Sequence, residues 1–388
     1  MAAPLNRRAW IKRSTMLAGG TALLPSILNN LSATPYNKTS RSFLTDAEFS
    51  RFAPPGLKAR LFANENPFGP SEKAKKAIVD AMTLSYQYPF QYEDELIKKI
   101  AAKQGLKDEM IQLGAGSTSL LYAAAAYYSK AGGGNIVSGD PSYTNLMEVA
   151  EELGSKWIKV PLTKEYKLDL DAMEKAVTDS TRLVYICNPN NPTATSVDSN
   201  KLKEFCERVS KKTMVFIDEA YIDYLPGTEA HSMVNLVKSG TNIIVARTFS
   251  KLHGFAGLRV GYMVAQPELI KAMELYCIGR SGLSATSIKA AIASYDDTEF
   301  LAGALQKTLT SKDFLYKTLK DEGYEYVPSD ANFVLFPIKM EGNRFLGEMF
   351  KRGVGVRHWK FNDKDWCRVS IGTMDEMKAF ADAFKEIS

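Results

Sequence analysis

Between Arg247 and Gly261 the chain reads Arg-Thr-Phe-Ser-Lys-Leu-His-Gly-Phe-Ala-Gly-Leu-Arg-Val-Gly, which places Ser250, Lys251 and Arg259 in a turn-rich segment directly after the apolar run 243–246. A lysine leaving a buried strand among small residues is a candidate Schiff-base nucleophile, because desolvation lowers an ammonium pKa and frees the amine to attack a carbonyl. A lysine after a strand is otherwise solvated surface, so its companions decide the reading. The apolar run 214–217 leads into Asp218-Glu219-Ala220-Tyr221, and the run 183–187 leads into Asn188-Pro189-Asn190-Asn191-Pro192-Thr193. In an open parallel sheet, ligands bind in the crevice beyond the carboxyl ends of the strands, so Asn191, Asp218 and Lys251 are expected to converge there.

The elements that must hold these residues follow from the apolar pattern. Runs of strand length at 136–137, 157–160, 183–187, 214–217, 243–246 and 260–265 alternate with helical stretches, which argues for a mostly parallel sheet covered by helices on both faces. From about residue 295 helical spacing over 300–322 gives way to Ala331-Asn332-Phe333-Val334-Leu335-Phe336, then a further helix and the run 354–357. That pattern suits a smaller α/β domain. No internal repeat is evident.

A chain of 388 residues with 45% hydrophobic content supports a large core and two domains. Its net charge of +5 is concentrated in residues 1–33, which hold Arg7, Arg8, Lys12 and Arg13 and no acid, so the remainder is near neutral and no nucleic-acid partner is implied. Cysteines at 187, 206, 277 and 367 show neither paired nor metal-ligand spacing and read as free, mostly buried thiols; the histidines are scattered, and no metal is expected. The start, Asn6-Arg7-Arg8-Ala9-Trp10-Ile11-Lys12 followed by a mildly apolar stretch over 16–28, resembles a twin-arginine export signal. The plainer alternative is a disordered basic tail. Residues 34–57, rich in Ser, Thr and Pro, read as a linker.

Asn-Pro-Asn-Asn-Pro-Thr, Asp-Glu-Ala-Tyr and Thr-Phe-Ser-Lys followed by Gly-Leu-Arg-Val-Gly, in this order and at these separations, resemble the pyridoxal-phosphate-dependent class I/II aminotransferases. Asn64-Glu65-Asn66-Pro67-Phe68-Gly69-Pro70 and Tyr88-Pro89 resemble the histidinol-phosphate aminotransferase branch, and the likeness covers roughly residues 58 to 380. It implies an α/β fold of fold type I, with an arm over 58–85 packing with a small domain at 295–388 and a large cofactor-binding domain over 86–294.

The resemblance also implies roles. Lys251 would carry pyridoxal 5'-phosphate, Asp218 would hold the ring nitrogen protonated, and Tyr221 and Asn191 would hydrogen-bond the ring hydroxyl. Gly116, Ser117 and Thr118 open a helix-like stretch whose free N–H groups suit the phosphate, with Ser250 and Arg259 as further contacts. Ser117 would equally serve as an N-cap without a ligand. Thr118 and Ser119 stand where the family has an acidic or serine residue followed by Glu, and Ala194 replaces a family glycine. Tyr143 matches the aromatic residue against the ring, and Tyr88 matches one that crosses a dimer interface to the neighbouring phosphate. Arg368 matches the arginine for the substrate carboxylate, with Arg357 as a candidate for a distal anion or, more plainly, a solvated strand-end residue.

The expected function is therefore transamination between an amino acid or amino phosphate and a 2-oxo acid, in a homodimer with shared sites. A decarboxylase of the O-phosphothreonine type is the alternative, and a non-catalytic cofactor-binding sensor a more distant one. The leader implies contact with export machinery and a periplasmic or exported location, against the cytoplasmic one that histidine biosynthesis would suggest.

Overall fold

Buried apolar runs bounded by turn residues form a seven-stranded sheet in this structure, a computed structural model that describes residues 56–130, 133–277 and 282–388. The expected leader over 1–33, with Arg7 and Arg8, and the linker as far as residue 55 lie outside the described residues. In chain order the strands are β1 (Ala59–Arg60), β2 (Ile111–Gly114), β3 (Asn135–Asp140), β4 (Lys156–Pro161), β5 (Thr181–Cys187), β6 (Met214–Asp218), β7 (Ile243–Thr248) and β8 (Gly261–Val264). They are followed by β9 (Phe333–Pro337), β10 (Val354–Gly355), β11 (Arg357–Phe361) and β12 (Lys364–Ser370). The large sheet has the order β2-β8-β7-β6-β5-β3-β4. Strands β3 to β7 pair in parallel, while β8 runs antiparallel to both of its neighbours.

The period-2 alternation of strand side chains divides the core into two layers. Val184, Ile186, Val215, Ile217 and Val245 pack on one face with Phe205 and Val209 of the helix Ser199–Val209. Leu183, Tyr185, Phe216 and Ile244 pack on the other with Leu120 and Ala124 of the helix Ser117–Ser129. Helices on both sides explain why these strands are continuous apolar runs rather than alternating ones. Burial of each such side chain contributes about 1.5–3 kcal/mol.

A second sheet, β11-β12-β9, is antiparallel and carries the helices Thr298–Asp321, Gly342–Lys351 and Met374–Lys385, whose Leu315, Phe345 and Phe380 join Val334, Phe336 and Val369 in one core. Thr373 and Glu376 form a reciprocal capping box at the last of these helices, worth about 1 kcal/mol. Asn362 and Asp363, at φ 50° and 54°, make the tight β11–β12 turn, a conformation that short polar residues tolerate. The chain is thus an α/β fold of fold type I with a large, mostly parallel sheet and a smaller α/β domain.

The arm expected over 58–85 divides between the two bodies. β1 pairs with β10, and Leu61 accepts the Ser370 N–H at 2.9 Å. The helix Glu72–Ala81 instead sets Ala74 and Ile78 into the large-domain core with Ile288 and Ala291, because its small and apolar residues recur at helical spacing on one face.

Candidate active site

Lys251 lies in the connection from β7 to β8, just past the carboxyl edge of the large sheet. Thr248 ends β7 and fixes the turn: its Oγ1 accepts the Ser250 N–H at 3.1 Å and donates to Ser250 Oγ at 3.0 Å. Gly254 N donates to Lys251 O at 2.9 Å and closes the loop. The Lys251 side chain is half-buried; its Nζ donates to Asn64 O at 3.1 Å and sits 5.2 Å from the Tyr221 ring centroid.

Asp218 ends β6 beside Cys187 of β5 and Ala246 of β7, and is 2% exposed. Burial pushes its carboxyl up to about 6, against the hydrogen bonds it accepts from Tyr185 and Ala220 N–H and the nearby Lys251 charge. Those bonds measure 3.0 Å from the Tyr185 hydroxyl and 3.1 Å from Ala220 N. A desolvated carboxylate of this kind gains from a cation placed against it. Next to it in sequence, Glu219 accepts from Arg247 Nε, Ser232 Oγ and Met233 N, a buried set that locks the ends of β6 and β7 together.

A corner suited to an anion lies at the start of the helix Ser117–Ser129. Gly116, at φ 73°, occupies the N-cap with no side-chain cap, and Ser117 is the first helical residue; this corrects the expectation that Ser117 itself could cap. Ser117 is buried and Thr118 half-buried in that first turn. Arg259, at φ 56°, donates to Ala115 O at 3.2 Å and to Ser250 Oγ at 3.3 Å. A Cβ at Gly116 would run into the Arg259 guanidinium, and one at Gly261 would lie 2.5 Å from Ser117 N. Helix N–H groups, a hydroxyl and a guanidinium therefore share one corner, as a phosphate requires.

Arg368, fully buried in β12, donates from Nη1 to Asn191 Oδ1 at 2.7 Å and from Nη2 to Phe62 O at 2.6 Å. Directly opposite it in β11 stands Arg357, 4% exposed, so the reading of Arg357 as a solvated strand-end residue is corrected by its burial. Tyr221 packs edge-on against Phe333 and accepts from Asn64 Nδ2 at 3.1 Å. Tyr143 is half-buried, and Asn190 ties its loop to the Asn191 turn by accepting from Ser142 Oγ and donating to Pro141 O.

Tyr88 does not join this cluster within one chain. It is 76% exposed, with its ring stacked on Phe90 at 5.7 Å. Three contributors escaped sequence reasoning. Tyr185 reads as core in an apolar strand yet holds Asp218, Glu219 braces the strand ends, and Asn64 contacts both Lys251 and Tyr221. For Asn64 the motif over 64–70 was the available signal; for Tyr185 it was a hydroxyl in a run with no other polar group from residue 183 to 187.

These residues fit pyridoxal phosphate. The buried Asp218 suits a ring cation, Tyr221 beside Lys251 and Asn191 on Arg368 offer polar groups, and the uncapped helix start with Ser250 and Arg259 suits a phosphate.

The sequence model of the family described as Aminotransferase class I and II matches residues 58–384. The histidinol-phosphate aminotransferase of Moorella thermoacetica is 36% identical over 332 residues, covering 84% of this chain and 85% of that protein. The aromatic amino acid aminotransferase of Mycolicibacterium vanbaalenii is 34% identical over 340 residues, 86% of this chain and 94% of its own. Among solved structures, histidinol-phosphate aminotransferase from Sinorhizobium meliloti in complex with pyridoxal-5'-phosphate superposes with a TM-score of 0.81 at 24% identity, over 92% of this chain and 100% of that one.

Proposed function

We propose a substrate class on the premise that the chain belongs to the class I and II aminotransferase family and is a pyridoxal-phosphate-dependent transaminase of small-molecule amino donors and 2-oxo acids. The donor carries more negative charge than one α-carboxylate, as histidinol phosphate does with its doubly charged phosphate and glutamate with its two carboxylates. The observation that supports this is the register of Arg357 opposite Arg368, both buried, with side chains on one face of the sheet. Two desolvated guanidiniums side by side favour more negative charge than the single α-carboxylate that an aromatic amino acid supplies.

The bound cofactor supplies an electron sink for charge developing at the substrate α-carbon. In our reading Lys251 would hold the cofactor and, as a free amine, would accept on Nζ the proton released from that carbon, which needs a neutral amine near working pH. Asp218 would keep the ring nitrogen protonated, Tyr221 and Asn191 would hydrogen-bond the ring oxygen, Tyr143 would supply the aromatic face, and Arg368 would bind the carboxylate. Gly116, Ser117, Thr118, Ser250 and Arg259 would hold the phosphate. Tyr88 belongs to a homodimer; support comes from the exposed apolar side chains of Val79, Met82, Tyr86, Tyr88 and Phe90 in one short segment.

The test of substrate class is kcat/KM for histidinol phosphate, glutamate, phenylalanine and tyrosine in wild type and Arg357→Gln. Loss of a charge-assisted bond is expected to cost the anionic donors about 30-fold and the aromatic ones under about threefold. Equal losses overturn the proposal.

For location, we propose that Asn6-Arg7-Arg8 directs export. Fractionation of wild type and an Arg7→Lys, Arg8→Lys variant tests this, with the variant expected to stay cytoplasmic and loaded with cofactor. Wild type found only in the cytoplasm with residues 1–33 intact would refute it.

A further inference from the structure

Asn64 bonds to Lys251, Tyr221, Ser370 and Asn332. Its main-chain carbonyl accepts from Lys251 Nζ at 3.1 Å and from Asn332 Nδ2 at 3.1 Å. Its amide nitrogen donates to Tyr221 OH at 3.1 Å. Its main-chain N–H donates to Ser370 Oγ at 2.8 Å, and that hydroxyl returns a bond to Asn64 Oδ1 at 3.0 Å. The residue is 1% exposed and held at φ 52°, a left-handed conformation that asparagine tolerates better than most side chains.

The partners fall into two groups. Ser370 ends β12 and Asn332 immediately precedes β9, so both belong to the small sheet. Lys251 and Tyr221 follow β7 and β6 of the large one. Every polar group of Asn64 is thus engaged, and the bonds run from one sheet to the other through this residue.

We propose that Asn64 is a positioning residue, which couples the seating of the small sheet to the orientation of the Tyr221 hydroxyl and to the resting place of the Lys251 amine. The chemistry follows from donor direction. A phenol oxygen that accepts from an amide turns its own hydrogen elsewhere, and the donated bond makes that hydroxyl a better donor. The Asn64 carbonyl, which accepts from Nζ at 3.1 Å, gives the displaced amine a defined place to stand. When the small sheet shifts, Ser370 and Asn332 carry Asn64 with them, and both settings change at once.

The inference rests on the assignment of Lys251 and Tyr221 to the cofactor, so the test separates the two. Holoenzyme of wild type and Lys251→Ala is first compared by visible absorbance. If Lys251→Ala keeps the native lysine-bound cofactor band, that assignment fails and the Asn64 proposal falls with it. With the assignment standing, the band is titrated against pH, without substrate, in Asn64→Asp, Tyr221→Phe and the double variant. Asn64→Asp keeps an acceptor for Ser370 and removes the donor to Tyr221. It is expected to move the apparent pKa of the band by about one unit and to lower kcat by about tenfold or more, with cofactor retained. In the Tyr221→Phe background the same substitution should move the band by much less. Should Asn64→Asp not accumulate, Asn64→Gly, which suits the positive φ and keeps the carbonyl, carries the same cycle. Additive shifts in the double variant, or an unmoved band in the single one, would overturn the proposal.

Discussion

Asn191 Oδ1 accepts a 2.7 Å hydrogen bond from Arg368 Nη1, which joins the turn after β5 to strand β12 of the small sheet. Through this bond the candidate carboxylate-binding arginine is oriented by a residue expected to face the cofactor.

Arg368 also donates to Phe62 O at 2.6 Å, so its removal leaves buried acceptors without their donors, a loss of about 1–3 kcal/mol. Arg368→Gln is expected to raise KM for carboxylate substrates by roughly 30-fold while cofactor stays bound. Steady-state kinetics paired with holoenzyme absorbance checks this, and an unchanged KM would remove Arg368 from substrate recognition.

Asp218 links cofactor affinity to pH. Its carboxyl, lifted to about 6 by burial, holds a proton that the unfolded chain releases at its ordinary 3.8. For the cofactor-free protein, this group's stabilisation is therefore present below the unfolded value and is lost as pH rises through the folded one. A ring cation against the carboxylate reverses that preference. The cofactor Kd is expected to rise as pH falls below about 6, by up to ~10-fold per unit, and Asp218→Asn should flatten that part of the profile. Equilibrium titration across pH 4.5–8 as the chosen range (roughly bracketing the shift) decides; superimposable profiles would count against Asp218 as the ring partner.

Gly116 cannot take a side chain without displacing Arg259, and its φ of 73° adds backbone strain. Strain of about 1–3 kcal/mol predicts that Gly116→Ala weakens cofactor binding by roughly tenfold or more. Gly303, with open space around it in the helix Thr298–Asp321, supplies the control: Gly303→Ala should leave cofactor Kd unchanged. Equal affinities in the two variants would sink the idea of a phosphate corner.

Tyr88 tests the dimer. If it reaches a neighbouring phosphate, mixing Lys251→Ala with Tyr88→Phe subunits creates one native site per heterodimer. Activity after verified subunit exchange should exceed that of either parent, provided Tyr88→Phe is itself damaging. Activity that never does so argues against a shared site.

How much of this was legible depends on where each signal lies along the chain. Strands β5, β6 and β7 announce themselves because burial on both faces demands unbroken apolar runs, and Asn191, Asp218 and Lys251 follow those runs directly. Strand β2 has only four residues, one of them Gln112, too few for a period to show. Asn64 acts through a carbonyl and an amide on a lysine 187 positions away, and no local pattern marks such a contact. Arg357 misled because a strand-end arginine is ordinarily solvated, whereas its place opposite Arg368 is set by the β11–β12 turn. Tyr88 ends exposed, where a single chain gives it no site partner.

The antiparallel course of β8 has a dynamic consequence. Lys251 and Arg259, the proposed covalent and phosphate anchors, ride on one hairpin connection whose mouth is pinned by Phe249 N donating to Val260 O and whose interior is held by Phe255 N donating to Phe249 O, both at 3.0 Å. Opening that mouth would loosen the grip of both anchors together, so release of the phosphate is expected to track local breathing, whose free energy the amide-exchange rates of Phe249 and Phe255 would read, while full escape would still require hydrolysis of the covalent bond.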